Sequence, residues 1–142
     1  FAKNHTLVIA NVGDSRGYYF RPNAIWQLTR DHSLVQDKLR AGLITREQVK
    51  TDRMKNVITR SVGFEREVMV DLYEMTFQVG DVFMLCSDGL CGQVDDDEIM
   101  AIVEKCLFKE GDIEKATKLL VQSANDKGGE DNTTVILVQI IP

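Results

Sequence analysis

Apolar and polar positions along the chain follow two rhythms. TLVIANVG, from Thr6, is rich in β-branched residues and stops at Gly13, which reads as a strand running into a turn. GYYF and AIWQL flank Arg21-Pro22-Asn23 and read as a hairpin, because Pro presets one turn dihedral and Asn tolerates another. From Ser33 the rhythm changes. SLVQDKLRAG reads as a short helix ending at Gly42, with Ser33 and Gln36 spaced as a capping box. Thr45 and Gln48 repeat that spacing before a second, shorter helix. Residues 68–77 and 82–87 return to strand character, with Gly80-Asp81 turning between them. VFMLC is apolar throughout, so its strand is expected to be buried on both faces. Asp95 and Glu98 make another capping box, and Ile99, Ile102, Val103, Cys106 and Leu107 follow at helical spacing. Asp112 caps a longer helix with Ile113, Ala116, Leu120 and Ala124 on one face, closed by Gly128-Gly129. TTVILVQII is the last strand.

Hairpin-linked strands with helices grouped apart predict an α+β fold with largely antiparallel sheets. The 142 residues suit one domain with a real core. A composition of 44% hydrophobic and 27% charged residues excludes a disordered chain, collagen or a coiled coil. No apolar run approaches the ~20 residues of a membrane-spanning helix, and FAKNH lacks the apolar stretch of a signal peptide. A strand signal almost at residue 1, with no initiator Met, leads us to expect a processed or truncated chain.

Charge narrows the partners. There are 17 Lys and Arg against 22 Asp and Glu, a net of −5, which argues against a general nucleic-acid binder. The balance is uneven: residues 38–66 carry eight basic and three acidic side chains, and residues 95–131 carry eleven acids and five lysines. Both stretches read first as solvated faces; the sharper reading lets the basic one meet an anionic partner or substrate. Cys86, Cys91 and Cys106 are odd in number and form no CxxC, which suits buried or free thiols in a reducing cytoplasm. The two histidines lie far apart in sequence, so a metal site would need oxygen ligands. His32 is expected to be a structural hydrogen-bonding residue, Trp26 a core residue, and Asp95–Asp97 a favourably charged helix start.

Three aspartates stand where strands meet loops. Asp14 follows TLVIANVG, Asp88 follows VFMLCS, and Asp131 precedes NTTVILV. Singly, each is an ordinary turn former. Together, on neighbouring strands, they would converge, and converging carboxylates repel unless a cation lies between them. Hard divalent ions such as Mg²⁺ and Mn²⁺ take oxygen ligands of this kind. Ser87, Gly89 and Asn132 adjoin them and read as loop formers and hydrogen-bond donors that orient the carboxylates.

ANVGDSRGYYF (10–20), LTRDHS (28–33), AGLIT (41–45), NVITRSVG (56–63), GDVFMLCSDGL (80–90) and GGEDNTTVILV (128–138) carry a resemblance in their order as well as their residues. The chain resembles the metal-dependent protein phosphatases of the PPM type, also called type 2C, and its compact spacing is similar to the bacterial members. The resemblance implies an antiparallel β-sandwich with outer helices, in α-β-β-α layers. It implies hydrolysis of phosphoserine and phosphothreonine in proteins at a two-metal centre of Mn²⁺ or Mg²⁺, whose ions activate the attacking water. By resemblance, Asp88 and Asp131 match ligands of the first metal, and Asp14 matches a ligand of an extra metal shared with Asp88. Residues 33–66 match a mobile flap whose basic bias suits phosphopeptides. The family's other half supplies a Glu, an Asp-Gly-x-Gly-Gly segment and a phosphate-binding Arg, and no such segment occurs here. The resemblance therefore makes residues 1–142 the C-terminal portion of a catalytic domain, a partial domain expected to be inactive alone. The other reading is a catalytically dead, phosphatase-like module that binds a partner protein. Either way the expected partners are proteins, not nucleic acid or membrane, and incomplete sheets would favour self-association through exposed edges.

Overall fold

The structure, a computed structural model, describes residues 2, 3 and 5–142. In chain order it contains β1 (Ala2–Lys3), β2 (Thr6–Asn11), β3 (Arg16–Arg21), β4 (Ala24–Gln27), α1 (Leu34–Arg40), α2 (Arg46–Thr51), β5 (Asp71–Thr76), β6 (Val82–Cys86), α3 (Asp88–Cys91), α4 (Asp96–Val103), α5 (Ile113–Asp126) and β7 (Val135–Gln139). The strands form two sheets, β1-β2-β5 and β4-β3-β6-β7, and every pairing is antiparallel. The α+β expectation holds.

The β3–β4 hairpin closes on Pro22 and Asn23, with Arg21 opposite Ala24 and Asn23 in the left-handed region at φ 61°. The turn at Gly80-Asp81 joins strands that do not pair: β5 lies in the three-stranded sheet and β6 in the four-stranded one. Buried Asp81 anchors that crossing, accepting from the Tyr19 hydroxyl at 2.8 Å and the Gln78 N–H at 2.9 Å.

The core lies between the four-stranded sheet and the helices that follow β6. Tyr18 and Phe20 of β3 and Val82, Met84 and Cys86 of β6 alternate onto one face. Leu90, Val94, Ile99, Val103 and the α5 stripe of Ala116, Leu120 and Ala124 close over them. Burying a side chain of Val, Leu, Ile, Phe or Met stabilises by about 1.5–3 kcal/mol, so this face dominates stability. Of the four layers expected, the described residues supply both sheets and the helical layer over the four-stranded one.

Two burial expectations are corrected. VFMLC is buried on one face and only partly on the other, where Phe83 is 5% exposed but Leu85 45%, and Trp26, expected in the core, is 47% exposed. The cause is the period of two. Leu85 and Trp26 point away from the helices, alongside Ile136 and Val138, on a face that the other sheet reaches at Gly17. There Ile9 Cδ1 would lie 3.3 Å from a side-chain carbon added to the glycine. Trp26 instead stacks on Tyr19 at 5.4 Å between centroids, and Tyr19 on Phe83 at 5.3 Å.

The caps divide as well. The Thr45–Gln48 box forms in both directions and Asp112 accepts from the Lys115 N–H, whereas Ser33 and Asp95 sit at N-caps without capping through their side chains. Ser33 lies in a bridge with Ile58, and Asp95 accepts from Lys50 at 2.6 Å. The helix expected through Leu107 changes character at Glu104, where residues Glu104–Lys109 continue as a π-helical stretch. Among the described residues no helix is long and apolar enough to cross a membrane.

Candidate metal centre

Asp88 begins α3 at the end of β6, the most buried strand. Cys86 pairs with Val135, so the chain leaving β6 and the chain entering β7 meet at one end of the sheet. Ser87 binds them together. Its N–H donates to the Thr134 carbonyl at 3.1 Å, and its hydroxyl donates to the Asn132 carbonyl at 2.9 Å and accepts the Thr134 N–H at 3.0 Å. Gly89 allows the close approach, because a Cβ there would sit 2.5 Å from the Asn132 carbonyl oxygen. Asp131 accepts the Asn132 N–H at 2.7 Å. Ser87, Gly89 and Asn132 thus join the Asp88 and Asp131 loops, Asn132 through its backbone.

Asp14 reaches the same end from β2. Gly13 turns the chain at φ 111°, and Arg16 then pairs with Cys86. Burial pushes the Asp14 carboxyl above its ordinary value and nearby Asp88 pushes it further, which marks two like charges in proximity. Asp14, Asp88 and Asp131 line one open cleft of about 1220 Å³. Among the described residues, no three His, Cys, Asp or Glu side chains draw close enough to hold an ion by themselves. The donor set is nonetheless of the kind hard divalent ions take: carboxylate oxygens, partly open to water, with two of them repelling.

The other side of the cleft is basic. Arg46, Lys50 and Lys55 of the helical excursion line it, facing the acidic start of α4. The excursion is lightly anchored, since α1 buries Val35 and α2 buries no residue.

One group was not singled out from sequence. Arg16 lines the cleft and forks onto Asp31, which also lines it, with Nε 3.0 Å from Oδ1 and Nη2 2.7 Å from Oδ2. Its Nη1 donates to the Tyr18 hydroxyl at 3.1 Å, which donates to Asp96 at 3.0 Å, while Gln27 donates to Asp31 at 3.0 Å. The available signal was an arginine heading an apolar strand and an aspartate beside His32, both charges that burial obliges to pair. Cys91 is half-buried and lines the cleft; a hydrogen bond with Cys86 and the charge of Arg16 lower its thiol below the ordinary value.

Comparison with known proteins agrees with this architecture. The family model described as Protein phosphatase 2C matches residues 1–133. Serine/threonine phosphatase stp of Listeria welshimeri is 43% identical over 133 residues, 94% of this chain and 51% of that protein. Protein phosphatase PhpP of Streptococcus pneumoniae is 38% identical over 137 residues, 96% of this chain and 54% of that protein. The crystal structure of Stp1 from Staphylococcus aureus superposes with a TM-score of 0.91 at 38% identity, covering 99% of this chain and 54% of that one. The catalytic domain of PstP, solved in complex with two manganese ions, gives a TM-score of 0.86 at 30% identity, covering 100% of this chain and 56% of that one. The chain spans about half the length of the relatives it matches. It belongs to the protein phosphatase 2C family.

Proposed function

We propose that this chain is the C-terminal, metal-binding portion of a serine/threonine protein phosphatase dependent on Mn²⁺ or Mg²⁺. Asp88 and Asp131 would hold one catalytic ion, and Asp14 would share a further ion with Asp88. The observation that carries this reading is the convergence of the Asp14, Asp88 and Asp131 loops on one cleft, where burial and then the nearby Asp88 raise the Asp14 carboxyl above its ordinary value. The ions, when bound, supply charge neutralisation of the phosphate and acidification of water. The protein's own part is to hold the carboxylates rigidly, through Ser87, Gly89 and the Asn132 backbone. Residues 33–66 act as the flap, with Arg46, Lys50 and Lys55 facing phosphoprotein substrates across the cleft. Three free thiols suit a cytoplasmic setting.

Calorimetric titration with Mn²⁺ tests the assignment. Asp88→Asn should weaken binding most, by about tenfold or more, or about 1.4 kcal/mol, with Asp131→Asn next and Asp14→Asn last. Parent-like binding by Asp88→Asn would return Asp88 to the status of a turn residue. The chain alone should turn over little or no phosphothreonine peptide.

A second reading, a phosphatase-like module that binds a protein without catalysis, has one observation in its favour: no three ligating side chains are drawn together among the described residues. It requires that Mn²⁺ titration give no heat in the parent chain. Self-association belongs to either reading, and the exposed row of Trp26, Leu85, Ile136 and Val138 supports it.

A further inference from the structure

His32 is 4% exposed and sits behind the cleft. One residue, Gly13, has both of its backbone polar groups taken by it. The His32 N–H donates to the Gly13 carbonyl at 2.9 Å, and the Gly13 N–H donates to His32 Nδ1 at 3.0 Å. The residue after Gly13 is Asp14. Gly13 is needed there for its dihedral of 111° and not for space, since nothing lies within 4 Å of the place a Cβ would take. Gly13, the residue before Asp14, is therefore held by the ring and the backbone of His32, with Asn11 Nδ2 also 3.5 Å from its carbonyl oxygen.

The far side of the ring is held as tightly. Because Nδ1 accepts, the ring proton is assigned to Nε2, which faces Asp71 Oδ2 at 3.2 Å with Arg60 Nη1 beside it at 3.1 Å. Asp71 opens β5, and its other oxygen accepts from Arg60 Nη1 at 2.8 Å. Arg60 also donates to the Met69 carbonyl at 3.1 Å. The backbone repeats the connection: the Thr59 N–H donates to the His32 carbonyl at 2.8 Å, and the Leu34 N–H donates to the Val57 carbonyl at 2.9 Å. Residues 57–60 are the return of the basic excursion toward β5. A continuous path thus runs from that segment through Arg60, Asp71 and the imidazole to the Gly13 N–H, one residue before Asp14.

We infer that His32 is a positioning residue that couples the return segment of the excursion to Asp14, so that a displacement at residues 57–60 is felt at the carboxylate. Its consequence for metal binding rests on the reading of Asp14 as a ligand; the coupling itself does not.

The two ring nitrogens can be removed separately. His32→Asn keeps an acceptor at the δ position and loses the link to Asp71. His32→Gln keeps a donor near the ε position and leaves the Gly13 N–H without its acceptor. Amide exchange, read by NMR on the metal-free chain, should be about tenfold or more faster at Gly13 in His32→Gln and changed less than about threefold there in His32→Asn. Arg60→Ala should speed Gly13 exchange by about threefold or more. Arg53→Ala, an exposed arginine of the same excursion outside this path, should leave it unchanged. Equal effects of the Gln and Asn variants, or no effect of Arg60→Ala, would reduce His32 to a packing residue and overturn the inference. If His32→Gln does not fold, Arg60→Ala against Arg53→Ala decides the matter alone. Mn²⁺ affinity is titrated in parallel and should fall in the order His32→Gln, Arg60→Ala, His32→Asn. If Asp14→Asn leaves Mn²⁺ binding untouched while the exchange asymmetry persists, the ligand reading fails and the coupling stands.

Discussion

The two faces of the β4-β3-β6-β7 sheet are built from the same strands and have opposite fates. Toward the helices, Tyr18, Phe20, Val82 and Met84 are fully buried. On the opposite face Phe83 is buried, but Leu85, Ile136, Val138 and Trp26 stand about half exposed. Residue type does not separate them, because both faces are apolar. What separates them is cover: α3, α4 and α5 follow β6 in sequence and fold back on one side, while the three-stranded sheet reaches the other at Gly17. That second cover is partial, burying Phe83 but leaving Leu85 half exposed, and mutations should report the difference.

The sharpest break is a pair of truncations. Phe20→Ala should destabilise by about 3–5 kcal/mol, as buried aromatic truncations do. Leu85→Ala, one sheet face away, should cost less than about 1 kcal/mol, because little surrounding structure is left around a cavity. Urea unfolding of the two variants checks this, and comparable losses would mean that the open face is packed in solution. Next in size is Gly89→Ala, where the added carbon meets the Asn132 carbonyl at 2.5 Å. Backbone must move, at a cost of about 1–3 kcal/mol, and Asp131 moves with it. Mn²⁺ binding should weaken even in preparations that remain folded, which calorimetry on the folded fraction would detect. Smaller still in stability terms is the double substitution Leu85→Ser with Ile136→Ser. It should leave the unfolding midpoint nearly unchanged while lowering the sedimentation-average mass at high concentration. Undiminished association would place the contact at a strand edge instead of this face.

Much of this was readable from the residues. Period-two alternation located the strands, and Arg21-Pro22-Asn23 located the hairpin, since those signals are local. The Asp14, Asp88 and Asp131 loops were legible as strand ends, and their order along the chain carried the family resemblance. What was not legible depends on partners distant in sequence. VFMLC cannot reveal which face lacks cover. Ser33 and Asp95 match a capping pattern, yet bridge formation with Ile58 and the charge of Lys50 engage them elsewhere. His32 reads as a plain structural histidine until Gly13, Asp71 and Arg60 stand around it. The Arg16–Asp31 fork spans fifteen positions and has no motif of its own.

The cleft is a second open surface, acidic along the Asp14, Asp88 and Asp131 side where the sheet face is apolar, and Asp14 tests that parallel with the smallest effect. Burial and Asp88 raise its folded-state pKa above the ordinary 3.8. A raised carboxyl favours the fold while protonated, so its contribution is full below about 3.8 and is lost as pH rises through the higher folded value. Asp14→Asn has no charge to lose. Metal-free, it should match the parent near pH 3 and exceed it at pH 7, by about 0.5 kcal/mol or less because solvent screens the half-open site. Saturating Mn²⁺ should reverse the order, since an ion bound only by the folded state stabilises the parent more. Thermal unfolding at the two pH values, with and without metal, reads all four states. A variant less stable than the parent at pH 7 without metal would mean that the turn hydrogen bonds of Asp14 outweigh its repulsion from Asp88. The cleft would then be a loop cluster whose shape does not depend on a cation.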